Sequence, residues 1–267
     1  MPGKIHQTAI ISKKAEISSN VTIGPFCNIG PNVKIGNDCL LLSHVNIQGD
    51  TTIGKQCEFY PFSVIGMNPQ DLKYKGEKTK LKIGDKNVFR EHCSIHIGTD
   101  NGGGVTNIGN DNLIMSGVHV AHDCQIGNNV ILSHQVALAG HVEINDYAVL
   151  SAMVGVVQFR RIGSYSMVGG LCAVDSDILP FSMVTGNGGS RAFLNGVNII
   201  GMRRRGFSKV EINEVQKIFD QIFSNNLTLQ QRIEKLEKSE SKVFNIINAF
   251  LRTPSKSGIC FPFNNNE

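Results

Sequence analysis

The chain has 267 residues, 41% of them hydrophobic and 18% charged, with a formal net charge of +4. This size and balance suit one large folded domain or a domain with an appendage, and they exclude disorder as a class. The charge is too mild for a nucleic-acid binder, no interleaved basic and aromatic platform accompanies it, and no apolar run is long enough to span a bilayer, so we expect a soluble cytoplasmic protein.

From Ile5 an aliphatic or phenylalanine falls on every sixth residue, through Ile11, Ile17, Ile23, Ile29, Ile35, Leu41, Ile47, Ile53 and Phe59 to Ile65. The beat returns at Ile83, Phe89 and Ile95, and again from Ile108 through Val120, Leu138 and Val156 to Val174. A period of six fits neither a helix of roughly 3.6 residues per turn nor a strand alternating in twos, so each hexad predicts a short strand and a corner. Three hexads close one triangular coil, which puts residue n + 18 directly above residue n at the parallel-strand spacing of about 4.7 to 4.9 Å. The large aliphatic points into the prism, where full burial contributes about 1.5 to 3 kcal/mol. The fifth hexad position must be small, and Cys27, Cys39, Cys57, Cys93, Cys124 and Cys172 occupy it. These thiols are therefore read as core packing and not as disulfides or metal ligands.

Two interruptions, residues 66–82 and 96–107, lack the beat and read as loops projecting from the prism, a common place for binding residues. The hexads fade at Pro180, which divides the chain into a β-helical unit, 1–190, and an α-helical unit, 191–267. In the second, Ser208 with Glu211 and Thr228 with Gln231 have capping-box spacing. Val210, Ile218 and Ile222, then Ile233 and Leu236, supply amphipathic faces, and a last helix is predicted from Ser241 to Leu251, ending before Pro254. Such helices would cover the open edge of the final coil.

The hexad phase brings chemistry-bearing residues together. His122 sits at an exposed corner, with Gly140 one rung above it and Gln158 one rung higher. A corner imidazole is a general base near neutral pH, and a glycine above it leaves a backbone N–H accessible to an oxyanion. Asp123 is placed to orient His122, and His141 lies one rung above Asp123. His119 lies on the outer face of the same coil, whereas His6, His44, His92 and His134 read as solvated surface. Zinc shared between imidazoles of adjacent prisms is the other reading of the histidine cluster, but no cysteine or carboxylate pattern reinforces it. Arg203, Arg204 and Arg205, preceded by Asn198, form either a solvated face or a diphosphate clamp, and Lys73, Lys75 and Lys78 share that ambiguity.

Four motifs in order, Pro69 to Tyr74, His119 to Cys124, Leu138 to His141 and Gly196 to Gly206, closely resemble the acyl-carrier-protein-dependent UDP-N-acetylglucosamine O-acyltransferases, which begin lipid A synthesis. The resemblance covers essentially the whole chain. It implies a mainly β fold, a left-handed parallel β-helix with a small α-helical C-terminal domain, assembled as a homotrimer with clefts between subunits. It also implies that His122 is the base for the glucosamine 3-hydroxyl, that Asp123 orients it, and that the Gly140 N–H holds the oxyanion. By the same resemblance Asp71 and Lys73 hold the sugar and its surroundings, His96, His119, His141 and Gln158 line the cleft, and Asn198, Arg204 and Arg205 meet the nucleotide or the carrier. Gly170 matches a position where small residues accompany longer 3-hydroxyacyl groups, and no cofactor is needed because the thioester of the 3-hydroxyacyl carrier protein is already activated. Val157, Ile97 and Ile200 depart from the family pattern, and Val157 leaves open a shifted acceptor such as a 3-amino sugar. The related N-acyltransferase of the same pathway normally carries a separate N-terminal domain, whereas hexads here begin at Ile5. A trimeric prism-shaped carbonic anhydrase would require zinc.

Overall fold

The computed structural model describes residues 3–186, 191–224, 227–236 and 239–263. Short strands from Ile10–Ile11 to Phe193–Val197 form three sheets of nine, eight and ten strands, and up to Ser182–Thr185 they wind as a left-handed parallel β-helix. The register is the expected one: Val120 pairs with Leu138, Leu138 with Val156 and Val156 with Val174. Where an excursion intervenes the offset grows, as in Ile65 with Ile95 and Ile95 with Val120, yet the chain rejoins the same face. The hexad aliphatics from Ile23 to Val174 are buried. Ile5 is exposed, and Ile11 and Ile17 only partly covered, because none of the described residues stacks beneath the first coil. All seven cysteines are free and buried, Cys260 included.

The corners are turned by residues with positive φ, most of them not glycine. Asn129, Tyr147, Tyr165 and Phe181 line one edge, Gln135, Met153 and Leu171 a second, and Asp123, His141 and Phe159 the third. A non-glycine residue in this region costs about 1 to 3 kcal/mol and persists only where its surroundings over-determine it. Here each such residue donates its N–H to the coil below, His141 to the His122 carbonyl at 3.0 Å and Phe159 to that of Gly140 at 3.2 Å. Side chains stack as well, Tyr147 on Tyr165 at 4.8 Å and Tyr165 on Phe181 at 5.3 Å.

Both expected loops are shorter than the missing beat implied. Strand Val64–Met67 runs into the first and Lys80–Ile83 out of it, while Ser94–His96 and Val105–Ile108 bracket the second. Parallel pairing of Lys80 with both Asp50 and Val105 rewards ordering the loop ends, although no aliphatic there fills the hexad position. The expected division at 190/191 abuts residues 187–190, outside the described residues. Beyond it the chain is not purely helical. Strand Phe193–Val197 runs antiparallel to Ser182–Thr185 and closes the ten-stranded sheet, so a strand covers that edge and the helices pack behind it.

The helices are α1 (Ile199–Arg204), α2 (Lys209–Ile222), α3 (Leu229–Glu234) and α4 (Lys242–Arg252). Both capping boxes form, at Ser208 with Glu211 and at Thr228 with Gln231, and the Ser241 hydroxyl accepts from the Phe244 N–H to start α4. The buried stripe of α2 is Ile212, Val215, Ile218, Phe219 and Ile222. Val210, expected on that face, is exposed because it lies out of step with this three-and-four spacing.

Arg161 joins the two parts. Its guanidinium meets buried Asp177 at 2.7 Å, donates to the carbonyls of Phe250 and Thr253 at 3.3 and 3.1 Å, and lies 4.4 Å from the Phe250 ring. Removing one partner of a buried ion pair strands the other charge, at a cost of about 3 to 5 kcal/mol. Arg161→Ala is therefore expected to lower stability by that amount, read as a lower urea midpoint.

Candidate active site

The hexad column is formed as the spacing required. His122, Gly140 and Gln158 occupy successive rungs of one edge, with Asp123, His141 and Phe159 beside them. A Cβ built on Gly140 would lie 2.5 Å from His122 Cε1 and 2.7 Å from Nε2, so only glycine accommodates the imidazole in this position. Among the described residues nothing accepts from the Gly140 N–H.

His122 is not exposed as expected but buried, with 6% of its surface accessible. The second excursion is the reason. Thr99 on that loop donates its hydroxyl to Asp123 Oδ2 at 2.6 Å and its N–H to Oδ1 at 2.9 Å, and Gly102 approaches so closely that a side chain there would overlap the Asp123 carboxylate. The corner conformation of Asp123, φ 61°, sets that carboxylate beside the preceding ring, with Oδ2 2.8 Å from His122 Nδ1. A carboxylate only accepts, so Nδ1 carries the proton and Nε2 is left as the basic nitrogen. The Thr106 hydroxyl fixes the Asp123 backbone by accepting its N–H at 2.8 Å.

His141 stands edge-on to His122 at 5.1 Å, with Nε2 4.0 Å from Asp123 Oδ2, and stacks on Phe159 at 4.4 Å. A cleft of about 770 Å³ opens here, into which the first loop brings Asp71 and Lys73, the second Thr99 and Gly102, and the C-terminal segment Lys256. His96 and His119 lie on the adjoining face, 4.8 Å apart and edge to face. His119 Nδ1 is 2.6 Å from the Ser94 hydroxyl, whereas buried His96 Nδ1 has no partner among the described residues. His122, Asp123 and His141 are the one group of the described residues close enough to share a metal, with ligand atoms within 4.8 Å. Asp123 Oδ2 is already engaged by Thr99 and His122, which is the arrangement of a hydrogen-bonded relay.

Other expected site residues lie elsewhere on this chain. The Asn198 side chain accepts from the Gly201 N–H to cap α1 and donates to the Tyr165 carbonyl at 2.9 Å. Arg205 lies over Tyr147 at 4.8 Å, and Arg204, in the last turn of α1, is exposed. These three belong to the Tyr147–Tyr165 edge. Gly170 belongs to the remaining edge, where a Cβ would lie 3.0 Å from the Ala152 carbonyl oxygen. Sequence reasoning missed Thr99, Gly102, Phe159 and Lys256. Adding 18 to His141 would have found Phe159, but no periodic signal reaches the other three.

Residues 177–260 match the family model described as UDP-N-acetylglucosamine O-acyltransferase, domain 2, and residues 32–66 and 106–140 match that of the bacterial transferase hexapeptide repeats. The acyl-[acyl-carrier-protein]–UDP-N-acetylglucosamine O-acyltransferase of Thermodesulfovibrio yellowstonii is 47% identical over 96% of this chain and 99% of its own length. This chain belongs to the UDP-N-acetylglucosamine O-acyltransferase family. The relative from Rickettsia canadensis, with the same name, is 50% identical over 96% of this chain and 97% of its own. The solved UDP-N-acetylglucosamine acyltransferase of Francisella novicida superposes with a TM-score of 0.94 at 38% identity, covering 98% of this chain and 95% of that one. Within this acyltransferase fold the departures are differently placed: Ile97 is buried in the core, while Val157 and Ile200 are exposed.

Burial pushes the His96 imidazole down from 6.5 to about 4, helped by the neighbouring His119 and His122, and burial also lowers His119 and His141. The unfolded chain therefore binds more protons than the folded acyltransferase between these values. Stability is fully present above about pH 6.5 and is lost as the pH falls from there towards 4. Urea midpoints are expected to drop over this window, and the drop is expected to be smaller in His96→Gln.

Proposed function

We infer that this chain transfers a 3-hydroxyacyl group from acyl carrier protein to the 3-hydroxyl of UDP-N-acetylglucosamine, the first step of lipid A biosynthesis. The observation that carries the reading is the buried His122–Asp123 pair packed beneath Gly140, in a chain whose relatives carry that activity in their names. His122 Nε2 takes the proton of the sugar hydroxyl, and the oxygen attacks the thioester carbonyl carbon. The Gly140 N–H stabilises the oxyanion that results. Collapse of the tetrahedral centre breaks the carbon–sulfur bond, and the imidazolium returns its proton to the departing thiolate. Asp123 keeps Nδ1 protonated throughout, and Thr99 keeps Asp123 in place.

His96, His119, His141 and Gln158 line the path of the substrates, with Asp71 and Lys73 at the sugar and Gly170 leaving room for a longer acyl chain. Asn198, Arg204 and Arg205 act on the nucleotide or carrier from a second copy of the chain. Support for this comes from their position at a different edge from His122, because a substrate touching both sets must lie between two copies. A homotrimer closes that arrangement with every cleft equivalent. Residues 1–190 then serve as the catalytic prism and 191–267 as its cover. A cytoplasmic location fits seven unpaired thiols, and among the described residues no helix is long and apolar enough to cross a membrane.

Incubating the protein with UDP-N-acetylglucosamine and a panel of 3-hydroxyacyl carrier proteins, followed by mass analysis, is expected to show one added acyl group, with longer chains preferred. His122→Ala should lower turnover of the folded protein by about 10² to 10⁴, and near-normal turnover would remove the base from this scheme. Sedimentation at micromolar concentration is expected to show a trimer, and an active monomer would exclude the shared cleft.

A further inference from the structure

Lys256 lies in the catalytic cleft although nothing in the pattern of the sequence points to it. Its Nζ sits 4.1 Å from the centroid of the Phe159 ring, and Phe159 in turn stacks on His141. The segment that carries it is tied down on both sides. Before it, the Thr253 carbonyl accepts from Arg161. After it, the Ser257 hydroxyl reaches Asp177 Oδ1 at 3.3 Å and the Gly258 carbonyl accepts from the Asp177 N–H at 2.9 Å. One buried ion pair thus sets the height at which this lysine enters the cleft.

Charge accounting singles out Lys256. Arg161 also lines the cleft, but its charge is paired with Asp177 and two carbonyls take both Nη1 donors. Among the described residues no salt bridge engages Lys256 or Lys73, and the carboxylates facing the same space are Asp71, Asp123 and Glu143. A cation over an exposed aromatic face is held weakly by the ring quadrupole, which steadies the ammonium and leaves its charge uncompensated. Its N–H donors remain available to an anion.

We propose that Lys256 is a substrate-binding residue whose ammonium, steadied by Phe159, holds a phosphate group at the mouth of the His122 cleft. The inference rests on the acyl-transfer reading, in which both substrates carry phosphate: a diphosphate on the sugar nucleotide and a phosphodiester on the carrier's pantetheine arm. A charge-assisted contact of this kind is worth about 1.5 to 3 kcal/mol, or about tenfold or more in affinity.

Calorimetric titration of wild type, Lys256→Ala and Lys256→Arg with UDP-N-acetylglucosamine, and separately with 4′-phosphopantetheine, tests it at equal melting temperature. Binding of at least one probe is expected to weaken about tenfold or more in Lys256→Ala and to recover in Lys256→Arg. Loss with the sugar nucleotide identifies the diphosphate, and loss with 4′-phosphopantetheine, whose phosphate monoester stands in for the carrier's phosphodiester, identifies the carrier arm. Unchanged affinity for both probes, or failure of wild type to bind either, overturns the assignment. Lysine-dependent binding without any acylated product would instead remove the acyl-transfer reading and leave the anion site standing.

Discussion

Vertical register is the constraint on which this molecule depends. Parallel pairing fixes each coil about 4.8 Å above the last, so residues 18 apart become neighbours wherever no excursion intervenes. Hydrophobic stacking inside the prism supplies the stability, and the corners inherit their geometry from it. The site is a by-product of that order, since His122 meets Gly140 because Val120 pairs with Leu138. Strained corner conformations are held by hydrogen bonds from rung to rung, which is how an imidazole and a carboxylate adjacent in sequence come to face one another.

Residues that obey the repeat were legible in the sequence, and those outside it were not. The period alone places the inward aliphatics, the thiols and the column of His122, Gly140 and Gln158. Helix starts were legible too, because Ser208, Thr228 and Ser241 cap through local chemistry that spacing reveals. The strand Phe193–Val197 was not legible because it is antiparallel, so its pairing does not follow from the hexad. The burial of His122 escaped for a related reason: it is imposed by Thr99 and Gly102 on an aperiodic loop. Lys256 is more distant still, reaching the cleft only because Arg161 grips the end of α4.

The C-terminal part therefore contributes more than a lid on the prism. Through Asp177 and Arg161 it positions Pro254 to Lys256 against the edge that holds His141 and Phe159. On the opposite side of its attachment, α1 presents Asn198, Arg204 and Arg205 beside Tyr147 and Tyr165. A single small unit thus reaches two edges of the prism, one facing its own cleft and the other facing outward.

Stacking in threes also makes changes of chain length quantised. Eighteen residues inserted below Thr99 would raise everything above by one storey and keep the register, whereas six would swing the upper prism through a third of a revolution. Six inserted between Thr99 and His122 would bring the imidazole out on another edge, still well packed but separated from its loop. Excursions such as Asn68 to Thr79 escape this rule by leaving and rejoining between the same two storeys. Evolution can lengthen such a molecule by whole floors, or embroider its edges, without disturbing the column of His122, Gly140 and Gln158.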